Sequence, residues 1–141
     1  MVEFAAVGTK IYFNGEIVPE REATVHVLSG AVKYGATVFE GICAYLGEQN
    51  QLNIFRLPDH LQRLQDSMRI MRFEHDWSDQ YLAEVVGDVL QANDLHEDAH
   101  IRLSAYVLNE GFLDATQPVA LGCLAVRRHD TSLTEKAARA Q

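Results

Sequence analysis

The run Thr37-Val38-Phe39-Glu40-Gly41-Ile42-Cys43-Ala44-Tyr45-Leu46, followed by Gly47-Glu48-Gln49-Asn50 and then Gln51-Leu52-Asn53-Ile54-Phe55, decides the fold. Its first part is apolar and β-rich, four turn-forming residues follow, and a second strand-like run returns, so the segment reads as a β-hairpin. Directly beyond it, Arg56 ends the β run and Leu57-Pro58-Asp59 opens a helix, with proline suited to the first turn and Asp59 favourable near the positive dipole end. Leu61, Leu64, Met68 and Met71 follow at helical spacing and are expected to form a core stripe, the methionines filling gaps. Arg63, Arg69 and Arg72 read as the solvated face of the same helix.

Outward from this centre the same pattern continues. Lys10 to Val18 contains Asn14-Gly15 between strand-like runs, which predicts a tight hairpin with antiparallel neighbours. Ser29 to Gly35 suggests a short helical turn. Downstream, Ser78 is a suitable N-cap for a second helix buried through Leu82, Val85, Val86, Val89 and Leu90, with Asn93 as its stop. His100 to Val107 alternates, directing Ile101, Leu103, Ala105 and Val107 one way and His100, Arg102, Ser104 and Tyr106 the other. Asn109 to Pro118 reads as a loop, and Val119 to Val126 as a buried strand. The expectation is an α+β fold, an antiparallel sheet with two main helices, over residues 1–126. Residues 127–141 look like a helical tail or the start of an interdomain connection, without a terminating glycine or proline.

Composition bounds the function. The 141 residues are 48% apolar and 23% charged, enough for one ordinary soluble domain with a real core. A formal charge of −8, with the nine arginines dispersed, argues against nucleic-acid binding, which needs a basic face. With charges scattered through the first thirty residues, neither a membrane span nor a leader is expected there. Cys43 and Cys123 lie in apolar strand-like runs and are expected as reduced thiols of a cytoplasmic protein, a single disulfide being the other arrangement. Cysteine and histidine spacing offers no paired metal-ligand pattern, and no nucleotide-binding glycine loop is found.

A few residues carry possible chemistry. Arg56, at a strand end before a helix start, suits a phosphate grip, or is an exposed strand-end charge. Gly41, within a strand, marks either a close ligand approach or a bulge. Tyr34 and Phe39 would wall an apolar pocket or join the core, and His100 with Arg102 would bind a carboxylate or form a surface pair. Glu40 has no partner at readable spacing and gives no case for acid–base catalysis.

In order and at family spacing, Tyr12-Phe13-Asn14-Gly15, Val25-His26-Val27-Leu28-Ser29, Tyr34-Gly35, Val38-Phe39-Glu40-Gly41, Phe55-Arg56, His60-Leu61-Gln62-Arg63-Leu64 and Ile101-Arg102 carry a specific resemblance. From Ile11 to about Val126 the chain resembles the N-terminal domain of class IV pyridoxal phosphate-dependent aminotransferases, most closely those for branched-chain amino acids. The resemblance implies that Arg56 contacts the cofactor phosphate, that Tyr34, Phe39 and Gly41 line the substrate side-chain pocket, and that Arg102 lies at the substrate carboxylate. It implies transfer of an amino group between an aliphatic amino acid and 2-oxoglutarate, within a homodimer or a hetero-assembly with a second domain. A loop matching Asn109 to Gln117 would reach toward the neighbouring active site.

Two departures stand out. Cys43 replaces the usual arginine of Phe-Glu-Gly-Ile-Arg, and His100 the usual tyrosine of Tyr-Ile-Arg, which leaves D-amino acid aminotransferase or aminodeoxychorismate lyase specificity open within the class. The chemistry also needs a desolvated lysine to hold the cofactor and move its proton. Lys10 reads as an edge charge, Lys33 as a surface residue on a short turn and Lys136 as part of an exposed tail, so the lysine-bearing second domain is expected to be absent from this sequence. The chain alone is then expected not to turn over. The competing reading is a free-standing, non-catalytic domain that dimerises or binds a metabolite.

Overall fold

The computed structural model describes residues 9–114 and 116–128. Lys10–Phe13 (β1) and Glu16–Pro19 (β2) form the first hairpin. Asn14 and Gly15 both take positive φ, 48° and 97°, the mirror-image turn whose twist matches the flanking strands. A 3-10 turn over Glu20–Glu22 leads to a short helix, Gly30–Lys33 (α1), capped by the Ser29 side chain, which accepts from the Val32 amide. The hairpin of Thr37–Leu46 (β3) and Leu52–Ile54 (β4) feeds Leu57–Ile70 (α2). Then come Phe73–Glu74 (β5), Asp79–Ala92 (α3), Ala99–Tyr106 (β6), Gln117–Pro118 (β7) and Ala120–Arg127 (β8).

Six strands make one antiparallel sheet in the order β2-β1-β8-β6-β3-β4. Both long helices cover a single face of it. Leu61, Leu64 and Met68 of α2, and Leu82, Val85, Val86 and Val89 of α3, meet Ile42 and Ala44 of β3, Ile101 and Leu103 of β6, and Leu121 and Cys123 of β8 in one core. Burial pushes the Cys123 thiol up to about 12, as expected for a thiol used as a small hydrophobe. Cys43, whose register partner is His100, belongs to the opposite face, and both cysteines are free thiols.

Polar ties position α3. Ser78 caps its start by accepting from the Tyr81 amide. At its end the Asn93 side chain accepts from the Lys10 amide at 2.8 Å and donates to the Lys10 carbonyl at 2.9 Å, so it treats β1 as a strand partner would. Tyr81 reaches β1 as well, its hydroxyl bonded to that of Tyr12. Lys10 therefore opens an interior strand, since β2 is the edge on that side.

Several expectations need correction. Met71 lies just past α2 and is 42% exposed, whereas Met68 is fully buried. The helix stops at Ile70, and Arg72 adopts positive φ to turn the chain into β5, so Met71 leaves the helical stripe. The segment Asn109 to Pro118 is not all loop: Gln117–Pro118 pairs with Phe73–Glu74 in a small parallel two-stranded sheet. Arg127 closes β8 instead of opening a helical tail. Residues 129–141, with Lys136, lie outside the described residues, and so does the expectation of a helix there.

These positions predict an asymmetry on truncation. Leu64→Ala should cost about 2–5 kcal/mol, as for a fully packed core leucine, whereas Met71→Ala should stay within about 0.5 kcal/mol. Urea unfolding of the two variants checks this, and equal losses would contradict the assignment of Met71 to the surface.

Candidate functional site

Successive residues of β3 point to opposite faces of the sheet, and the helices cover only one. The register sets Gly41 opposite Arg102, Cys43 opposite His100 and Phe39 opposite Ser104, so these side chains share the helix-free face. Phe39 is 53% exposed, and the Arg102 guanidinium lies 3.8 Å from its ring centroid, a stacked cation–π pair. The His100 imidazole lies over Gly41, whose lack of a side chain admits it. A Cβ at Gly41 would stand 3.3 Å from Cε1 of His100, so any larger residue would press on that imidazole. An arginine over an exposed aromatic ring can hold a carboxylate and an apolar group close together.

Arg56 sits at the far end of the same hairpin. Its φ of 50° places it in the left-handed region as the N-cap of α2, uncommon for a residue with a side chain. The Phe55 amide donates to the Cys43 carbonyl at 2.8 Å and the His60 amide to the Arg56 carbonyl at 3.2 Å, fixing the backbone on both sides. The exposed guanidinium donates through Nε to Asp59 at 2.7 Å. A cation at the amino end of a fourteen-residue helix suits a phosphate, for which the backbone dipoles add favourable potential.

Tyr34 lies apart, at the C-terminal end of α1, exposed, with Lys33 Nζ 5.0 Å from its ring centroid. The structure thus brings Phe39, Gly41, His100 and Arg102 together and leaves Tyr34 and Arg56 toward opposite ends of β3. Lys33 donates to the Glu110 carbonyl at 3.0 Å and faces the Phe112 ring as well. It precedes the Thr37 end of β3, whereas Arg56 follows the strand that pairs at Cys43 and Ala44. The six residue steps from Thr37 to Cys43 span roughly 20 Å along a strand. An arginine at a helix start fits a phosphate group, while Lys33, engaged with Glu110 and the two rings, is not arranged to link covalently to a group seated there.

One constellation escaped the sequence reading. Glu40 is 3% exposed, on the helix side of β3, and is far from partnerless. Arg63 of α2 grips it with a two-pronged fork, Nε to Oε1 and Nη2 to Oε2, both at 2.7 Å. His60 Nδ1 lies 2.8 Å from Oε2. Burial alone would raise the Glu40 pKa, but the bonds from Arg63 and His60 outweigh it and hold the carboxyl below the usual glutamate range. Arg63 is therefore not merely part of a solvated face, although 67% of its side chain is exposed. The available signal was alternation: Glu40 shares its parity with Ile42 and Ala44, and a carboxylate on a buried face requires a partner.

The description amino-transferase class IV belongs to the family model that matches residues 37–138. The branched-chain-amino-acid aminotransferase of Salmonella typhimurium is 43% identical over 101 residues, covering 72% of this chain and 32% of the relative. The crystal structure of the Escherichia coli branched-chain amino acid aminotransferase superposes with a TM-score of 0.79 at 35% identity, over 88% of this chain and 41% of that one. The T.th. branched-chain amino acid aminotransferase complexed with N-(5'-phosphopyridoxyl)-L-glutamate superposes with a TM-score of 0.76 at 31% identity, over 85% of this chain and 41% of that one. The chain thus spans about a third of the length of the curated relative.

The Glu40 clamp predicts an acid-sensitive stability. With its pKa depressed in the folded state, Glu40 stabilises the fold fully above the unfolded glutamate value, about 4.3, and loses that contribution as pH falls through the folded value. At pH 7, Glu40→Gln should cost about 1–3 kcal/mol, as for a buried group that loses its charged partner's bond. Urea midpoints at pH 7 and pH 3 should show the gap to the parent narrowing in acid; a pH-independent gap would refute the assignment.

Proposed function

The chain belongs to the class IV aminotransferases, and on that premise we propose that it forms the N-terminal, substrate-facing part of a branched-chain-type enzyme using pyridoxal phosphate. The reaction of the complete enzyme is transfer of an amino group between an aliphatic amino acid and 2-oxoglutarate. The observation that carries this reading is the grouping of Phe39, Gly41 and Arg102 on the helix-free face of β3 and β6, with Arg56 at the end of the same hairpin.

Each residue then has a role in binding and orientation. Arg56 and the backbone dipoles of the first turn of α2 hold the cofactor phosphate. Phe39 and Gly41 line the pocket for the aliphatic side chain, with Tyr34 on the α1 side. Arg102, stacked on Phe39 and therefore fixed in orientation, takes a substrate carboxylate, and His100 stands beside it. Cys43 and His100 are the positions at which preference within the class is set. When bound, the cofactor supplies the electron sink for carbanion chemistry.

These residues bind and orient but do not supply the covalent lysine. Lys33 is directed to the Glu110 carbonyl and the rings of Tyr34 and Phe112, away from Arg56. Turnover accordingly needs a lysine from a further domain, in a homodimer or hetero-assembly, and we place this chemistry in the cytoplasm.

The test is an absorbance titration of the chain with pyridoxal phosphate, followed by borohydride reduction and peptide mapping. We expect saturable, reversible binding that Arg56→Gln weakens at least tenfold, about 1.4 kcal/mol, and no stoichiometric lysine adduct. An Arg56→Gln variant that binds like the parent, or stoichiometric trapping at Lys33, would overturn the proposal.

A further inference from the structure

We infer that Glu40 is a positioning residue for the phosphate seat: through His60 it holds Arg56 in its left-handed cap conformation. This rests on the reading of Arg56 as the phosphate-binding residue. The connection is continuous and short. The Glu40 carboxylate, buried beneath β3, bonds the His60 ring at 2.8 Å, and the amide of the same His60 donates to the Arg56 carbonyl at 3.2 Å. Arg63, one turn further along α2, bonds both Glu40 oxygens, sharing Oε2 with His60. The first turn of α2 is therefore fixed in height and rotation on β3, directly under the strand residues Phe39 and Gly41.

The cap needs such support. Arg56 has a φ of 50° with no side-chain cap of its own, and Pro58 supplies no amide to the first turn. A left-handed conformation in a residue with a Cβ persists where its surroundings determine it. The hairpin side is fixed by the Phe55 amide on the Cys43 carbonyl, and the helix side by His60. Glu40 is the group that anchors His60 to the sheet. One strand thus serves the site on both faces: Phe39 and Gly41 face the substrate side, and Glu40 orients the phosphate side from behind.

The experiment compares the parent chain with Glu40→Gln, Arg56→Gln and, as a stability control that leaves the clamp intact, Leu64→Ala. All are measured well below their unfolding temperatures, with inorganic phosphate as probe. The first readout is the strong intraresidue amide-to-Hα NMR cross-peak that a positive φ gives at Arg56. The second is the phosphate dissociation constant from shifts of the Arg56 Nε–H resonance, or of the first-turn amides where Arg56 is replaced. We expect Glu40→Gln to weaken the cross-peak and raise the dissociation constant at least fivefold, while Leu64→Ala keeps the cross-peak and stays within twofold. A cross-peak of full strength in Glu40→Gln, or equal effects of Glu40→Gln and Leu64→Ala, would overturn the inference. Unchanged phosphate affinity in Arg56→Gln would instead refute the phosphate seat, with the cross-peak still deciding the role of Glu40. If Glu40→Gln does not fold, His60→Leu, which leaves the Arg63 fork, is judged by the same two readouts.

Discussion

A carboxylate buried under the strand that faces the candidate site is the constraint around which this domain is arranged. Burying apolar surface is non-directional and tolerates sliding and rotation of a helix on a sheet. Glu40 removes that freedom for α2, because a nearly inaccessible charge requires its bonds to Arg63 and His60 at 2.7 and 2.8 Å. The other helix is constrained in a related way. Asn93 brackets the Lys10 backbone from the end of α3, and Tyr81 bonds Tyr12 near its start. The core supplies the driving force, and a few polar ties select one arrangement of the two helices over the sheet.

That arrangement leaves the other sheet face uncovered by the long helices. Since α2 and α3 both occupy the same side, the other presents Phe39, Gly41, His100 and Arg102 at adjacent register positions of β3 and β6. Those residues need no backbone distortion to meet; ordinary antiparallel pairing suffices. The strained element is instead at the hairpin end, where Arg56 takes a conformation rarely used by residues with side chains. The site is thus composed of a regular, rigid platform and one irregular corner.

How far the sequence foretold this depends on whether the signal was local. The hairpin turn at Asn14-Gly15, the short helical turn after Ser29, the cap Ser78, the stop at Asn93 and the stripe from Leu61 to Met68 are decided by residues within a few positions, and all match the structure. The alternation of Ile101, Leu103 and Ala105 against His100 and Arg102 likewise set the two faces of β6. What was not legible depends on distant contacts. The β1–β8 neighbourhood, the β5–β7 pair and the Glu40–Arg63 fork link segments far apart in sequence, and no local pattern encodes such partners. Met71 failed for a different reason: periodicity continues past a helix end, whereas the backbone turned at Arg72.

The odd and even residues of β3 are both largely apolar: Phe39, Cys43 and Tyr45 on one face, Val38, Ile42 and Ala44 on the other. A strand with two greasy faces gives the hydrophobic effect little basis for choosing between alignments that differ by a single step. Such a slip in the eight-pair ladder with β6 would turn Glu40 outward and slide Phe39 or Gly41 beneath Arg63 and His60. The lone acid in that strand therefore serves as a registration mark. Only the observed alignment keeps its bonds to Arg63 and His60, in a stretch where shape and greasiness alone would accept the wrong one.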